Sequence, residues 1–185
     1  MSLFEVIIAL MIIGIIATAM GGILVTAIQG NRINKDKMIA INLAREGLEA
    51  VGEIVATNWL KFSTDKDHCW DLIKNDASVT DCAVAAHFSL NSCYLVKQDP
   101  NYRLFAESKT CPSGLLTEDD DYKLYLKDGL YKHESSGIPQ RFFRLIKITD
   151  KNDTSMTVSS TVSWYDSGGA THSVVFTTTL TNYQQ

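Results

Sequence analysis

Two sets of residues in this chain are placed to do chemistry. The first is a lone carboxylate, Glu5. No other residue before Arg32 is charged, and the run from Val6 to Ile28 carries no charge at all. A carboxylate at the edge of an apolar span is costly and marks a functional site with a partner. If Met1 is a processed terminus, its α-amine is the nearest cation. The competing reading makes Glu5 a helix-start charge in a headgroup region, favoured by the positive end of the helix dipole. The second set is Cys69, Cys82, Cys93 and Cys111. Their spacing contains no CxxC pair, so zinc is disfavoured despite His68 and His87 nearby. An even count beyond a membrane-grade segment points to two disulfides made in an oxidising compartment. Four cysteines allow three connectivities. Cys69–Cys82 and Cys93–Cys111 are favoured because each closes a short local loop, adding about 3 kcal/mol apiece by loop entropy. Four reduced, buried thiols are the alternative.

Other polar groups are less telling. Glu118-Asp119-Asp120-Asp121 offers carboxylate oxygens to calcium, but lacks the alternating spacing and later Glu of an EF-hand loop, so it reads as a solvated charged loop. Asn152-Asp153-Thr154 is a glycosylation sequon in a turn between strands. There is no GxSxG, no HExxH and no Gly-rich phosphate loop. His68, His87, His133 and His172 are scattered and read as surface or hydrogen-bonded strand residues. The expectation is a non-enzyme without cofactor or metal.

The elements that must position these groups follow from patterning. The chain has 185 residues, 45% apolar and 21% charged, with a formal net charge of −4. These values argue against disorder and give no broad basic field, so nucleic acid is a possible partner that the charge does not indicate. The uncharged run is long enough to span a bilayer as a helix. It starts at once, without the basic n-region of a signal peptide. Arg32, Lys35 and Lys37 lie only on its distal side, which the positive-inside rule would put in the cytoplasm. A basic leader removed ahead of Met1 reconciles that with oxidised cysteines. Gly14, Gly21 and Gly22 weaken the helix by roughly 0.5–1 kcal/mol each. They serve either close helix packing or local melting.

From Asn31 the pattern becomes amphipathic. Ile41, Ala44, Leu48, Val51, Val55 and Trp59 recur at helical steps, with Arg45 and Glu49 as an i,i+4 pair on another face. One helix from about Ser2 to Lys61, roughly 90 Å if unbroken, is the simplest reading. Gly47 and Gly52 are interruptions or points of close approach. Phe62 to Ser92 is irregular, with a short helical turn near Trp70–Lys74. Cys93–Lys97 and Tyr102–Ala106 read as strands about a turn. Lys123–Lys127 and Leu130–His133 flank Asp128-Gly129, a type I′ hairpin signal. Arg141–Thr149 is a longer apolar strand. Met156, Val158, Val162 and Trp164 alternate with Thr157, Ser159, Thr161 and Ser163, and Val174, Phe176 and Leu180 repeat the pattern across Asp166-Ser167-Gly168-Gly169. The stripe Ile41–Trp59 is the expected cover of this antiparallel sheet, leaving Thr-rich faces to solvent or another subunit.

The start Met1-Ser2-Leu3-Phe4-Glu5-Val6-Ile7-Ile8-Ala9-Leu10 resembles the mature start of type IV pilins and pseudopilins, with Phe4 where Ile is common. The match covers about the first 30 residues, and beyond it the likeness is one of architecture. The resemblance implies an α+β pilin fold. A long helix, residues 2–61, has an apolar transmembrane or filament-core part (1–30) and an amphipathic part (31–61). A head (62–185) holds an irregular disulfide-containing segment (62–120) and an antiparallel sheet (121–183). It implies that a prepilin peptidase cuts before Met1 and methylates its amine, and that Glu5 pairs with the amine of Met1 in a neighbouring subunit. It implies filament-core packing by Leu3, Phe4, Val6, Ile7, Leu10, Ile13 and Ile16, with helix melting about Gly14, Gly21 and Gly22. Its partners would be further copies of itself, the inner-membrane pilus assembly machinery, and the membrane before assembly. The expected function is a structural subunit of an extracellular filament serving adhesion, motility or DNA uptake. The alternatives are a minor pilin or secretion pseudopilin that initiates a short filament, and a monomeric membrane-anchored binding domain.

Overall fold

A computed structural model describes residues 2–62, 65–73, 82, 85–98, 104–166 and 168–182. Met1 and residues 99–103, where the sequence leads one to expect a turn, lie outside the described residues. The fold is α+β. One helix, α1 (Leu3–Lys61), precedes a short α2 (Lys66–Cys69) and seven strands: β1 (Cys93–Gln98), β2 (Leu104–Lys109), β3 (Lys123–Lys127), β4 (Leu130–Lys132), β5 (Ile138–Lys151), β6 (Ser155–Tyr165) and β7 (Thr171–Thr181). The chain forms two compact units, Met1–Met38 and Ile39–Gln185.

The second unit is an antiparallel sheet covered on one face by residues 39–61 of α1. β5 is its spine. On one side β5 pairs with β6 along most of its length, and β6 pairs with the edge strand β7 from Ser155↔Thr181 to Tyr165↔Thr171. On its other side β5 has two partners end to end. Cys93 and Tyr94 of β1 pair with Lys147 and Ile146, while β3 pairs from Lys123↔Phe143 to Leu126↔Ile138. Asp128 and Gly129 both have positive φ, 54° and 79°, as a type I′ turn requires, and they join β3 to β4.

The covering stripe is rotated relative to the sequence expectation. Ala40, Leu43, Ala44, Gly47, Val51, Ile54, Val55 and Asn58 form the buried line, and Ile41, Leu48 and Trp59 sit at its margins. The reason is close approach: a Cβ on Gly47 would meet Ser160 Oγ at 2.7 Å and Ile146 Cδ1 at 2.9 Å. Two apolar clusters lie beneath this line, one around Val51, Ile54, Trp70, Phe88, Ile146 and Val158, the other around Leu43, Leu124, Phe142, Val162 and Trp164. The Arg45–Glu49 pair is not formed; the Arg45 guanidinium instead lies over the Phe176 ring, 5.5 Å from its centre.

The opposite face of the sheet is not left wholly to solvent or a second subunit. Leu116 and Tyr122, in two 3₁₀ turns (Leu116–Glu118 and Asp120–Tyr122), pack with Cys93, Leu95 and Phe143. Tyr122 donates to Thr110 O at 2.8 Å and Tyr165 to Thr117 O at 3.0 Å. Ser159 and Ser163, which the alternation assigns to an open face, are both buried.

Candidate functional site

The first unit is a bare helix. Every residue from Ser2 to Gln29 is exposed. Leu3 is 81% exposed and Val6 46%, and Phe4, Ile7, Leu10, Ile13 and Ile16 lie between these values. Helix α1 is long and apolar enough here to cross a membrane. Soluble monomers seldom present a contiguous apolar surface of this kind, so lipid or other protein must cover it. Its few polar side chains are fitted to such a cover. Thr18 donates to Ile15 O at 2.9 Å and Thr26 to Gly22 O at 3.0 Å, which satisfies both hydroxyls inside the helix. Gly14, Gly21 and Gly22 are helical, and a Cβ on any of them would meet nothing within 4 Å.

Ser2 and Glu5 form the start of the helix. The Phe4 amide donates to Ser2 Oγ at 3.4 Å and the Glu5 amide to Ser2 O at 3.0 Å. Ser2 with Glu5 three residues on is the sequence signature of a capping box, a signal that would have identified Ser2 as the cap. Among the described residues no cation pairs with the Glu5 carboxylate. The expected partner, the amine of Met1, lies outside them.

In the second unit Cys69 is joined to Cys82 and Cys93 to Cys111. Each bridge fastens irregular chain to the core. The helical turn of this segment is α2, earlier than the pattern near Trp70 suggested, because Trp70, Leu72 and Phe88 turn inward and are almost fully buried. Polar bonds finish the attachment. Asn58, fully buried on α1, donates to Leu72 O at 2.7 Å, and the Ala106 amide of β2 donates to Ile73 O at 2.8 Å. Asp71, 5% exposed, holds His87 Nδ1 at 2.7 Å and pairs with Lys151 at the end of β5. Lys151 also donates to Phe88 O at 2.6 Å, and His87 Nε2 lies 2.9 Å from Cys82 O. Asp71 and Lys151 thus form an ion-paired staple that sequence spacing, 80 residues apart, could not reveal.

The remaining polar candidates separate. In the acidic loop Asp119 caps the Asp121 amide at 3.0 Å, Asp120 pairs with Lys123 and Asp121 with Lys109. Among the described residues no three His, Cys, Asp or Glu side chains converge as metal ligands. Asn152 Oδ1 accepts from the Thr154 and Ser155 amides at 2.9 and 2.7 Å, which builds the β5–β6 turn. His68 pairs with Asp65 and His172 with Asp166, the latter carboxyl held low by His172 and by the Ala170 and Gly168 amides. His133 departs from the surface reading: both ring nitrogens are shielded from water. No protein-family model, curated protein or solved structure matches the chain.

Proposed function

We propose that this chain is a type IV pilin-like structural subunit that polymerises through its apolar helix into an extracellular filament. One observation carries the reading: a helix whose residues 2–29 are all exposed and whose only charge before Arg32 is Glu5. The membrane and a filament core made of the same segments both exclude water, so either environment satisfies that surface. Assembly exchanges one for the other at little hydrophobic cost. A carboxylate near the start of the span suits a switch between them. It reaches headgroups in the bilayer, and in a core it needs a cation, which the Met1 amine of a neighbouring copy would supply. Leu3, Phe4, Val6, Ile7, Leu10, Ile13 and Ile16 then pack between copies. A head held by two disulfides suits an oxidising exterior.

Electron microscopy and mass spectrometry of sheared cell-surface material test this reading. The expected result is a thin filament whose bulk is this chain. A trace of it in a filament made of another subunit selects the minor-pilin or pseudopilin alternative. Its recovery only as a membrane-bound monomer overturns polymerisation.

A further inference from the structure

Of the nine asparagines in the chain only Asn152 is followed, two residues on, by Ser or Thr, and the residue between, Asp153, is not proline. That pattern is an acceptor for sugar on its amide nitrogen when it stands in a surface loop of a domain outside the cytoplasm. Asn152, Asp153 and Thr154 are all exposed, in the turn that joins β5 to β6. The bridges Cys69–Cys82 and Cys93–Cys111 suit an oxidising compartment.

The hydrogen bonds of this turn fix which end of the Asn152 amide is free. Oδ1 accepts from the Thr154 amide at 2.9 Å and the Ser155 amide at 2.7 Å, and from the Thr154 and Ser155 hydroxyls at 3.1 Å each. Backbone N–H groups only donate, so the atom that faces them is the oxygen and the amide has one possible orientation. All the side-chain bonds of Asn152 therefore fall on Oδ1, and among the described residues nothing accepts from Nδ2. A sugar that replaces one Nδ2 proton breaks no bond of the fold, because the substituted amide keeps its carbonyl oxygen and with it the turn. The backbone closure of the turn, Asn152 N–H to Ser155 O at 2.8 Å, is untouched. Room is available as well: a hollow of about 570 Å³ opens beside the turn, lined by Asn152 and Thr154 and also by His68 and His87.

We propose that Asn152 is a site of N-linked glycosylation, with a lipid-linked sugar pyrophosphate as donor. Nδ2 attacks C1 of the first sugar. The N–C bond forms as the C1–O bond to pyrophosphate breaks, the lipid pyrophosphate leaves with the electron pair, and a base of the transferase takes the amide proton. Nothing is oxidised or reduced. Helix α1 is long and apolar enough to cross a membrane, which brings the chain to the surface that holds a lipid-borne donor. The sugar would stand at the hollow by His68 and His87 and screen the irregular chain there from protease. The site rests on an exterior head and not on polymerisation, so it would stand if the filament reading failed.

The test is mass spectrometry of the full chain purified from the cells that make it, intact and as peptides spanning Asn152. The expected result is a chain heavier than its sequence by whole sugar units, with fragmentation placing them on Asn152. Asn152→Asp keeps the accepting oxygen and lacks the nitrogen, so it should fold with the sugar gone. Thr154→Ala should also lose the sugar, and Thr154→Ser, which restores the hydroxyl, should keep it; this pair serves if Asn152→Asp does not fold. The same spectra read the state of the cysteines. An unmodified Asn152 on a head with both disulfides formed overturns the site itself, and an unmodified Asn152 beside four reduced cysteines overturns the compartment on which it rests. Sugar that persists in Asn152→Asp, or in Thr154→Ala, places the modification elsewhere and refutes the assignment.

Discussion

Replacing Gly47 by Ala measures how closely α1 lies on the sheet. The added methyl would sit 2.7 Å from Ser160 Oγ, 2.9 Å from Ile146 Cδ1 and 3.2 Å from Arg144 Cδ. Ser160 can rotate without losing a hydrogen bond, since its hydroxyl has none. Ile146 is 1% exposed and Arg144 is held by Leu43 and Glu46, so these two must be displaced together. Overpacking of this kind costs about 1–3 kcal/mol. Against it stands the helix preference for Ala over Gly, about 0.5–1 kcal/mol. Gly52 provides the control on the same helix: a Cβ there meets nothing within 4 Å, so Gly52→Ala keeps the propensity gain without the clash. The difference between the two variants cancels propensity and leaves the contact, about 1–3 kcal/mol. Thermal unfolding of the full chain in micelles, followed by fluorescence of the buried Trp70 and Trp164, reads it out. Gly47→Ala should melt below Gly52→Ala by about 2–4 °C for each kcal/mol. Should both variants gain stability equally, the helix does not approach β5 and β6 as described and the packing argument fails.

Four further outcomes are expected. Glu5→Ala should still reach the membrane, because a carboxylate is removed from an apolar span, but should form few filaments; wild-type filament amounts would remove the charge-pairing role. Asp71→Asn leaves Lys151 and His87 short of their anion and should lower the denaturant midpoint by about 2 kcal/mol equivalent, with no change if the staple is idle. Reductant should open residues 65–111 to protease before filaments dissolve, because no cysteine lies in residues 3–28; filament loss with a protease-resistant head would reverse that order. His133 is held at about 3 in the folded chain against an ordinary 6.5, so the unfolded chain takes up the proton first as pH falls. Its contribution is intact above about pH 6.5 and is lost towards pH 3 at up to about 1.4 kcal/mol per unit, so His133→Gln should flatten the acid limb of the stability curve.

What could be read from the residues was what depends on near neighbours. Asp128-Gly129 needs positive φ and so fixed a hairpin by itself, and the period of two in β6 and β7 located both strands. The short spans between cysteines favoured the bridges that form. The helical stripe was placed one position off because apolarity alone ranked Ile41 and Trp59 above Gly47 and Asn58, whereas the sheet admits the residue that lets it come closest. Arg144 carried a missed signal: it falls in phase with Phe142, Ile146 and Ile148, so its charge had to share their buried face. His133 carried none. Its burial comes from the divergence of β1 and β3, which pair with β5 across some 50 and 20 residues of chain, beyond any local pattern.

The divergence of β1 and β3 along β5 also decides how the head bears load. Because β1 and β3 meet β5 in series and not on each other, the two hairpins have no shared rungs through which to divide a pull. Tension on β3–β4 peels Leu126 and Tyr125 from β5 one rung at a time, while the rungs at Tyr94 and Cys93 stay unloaded. The β1–β2 hairpin pairs with β5 at Cys93 and Tyr94, backed by hydrogen bonds of Asn91 and Ser92 to Ile148, and the Cys93–Cys111 bond closes the open end of the hairpin, so its two strands leave β5 as one flap. A sheet built this way yields flap by flap and keeps its spine.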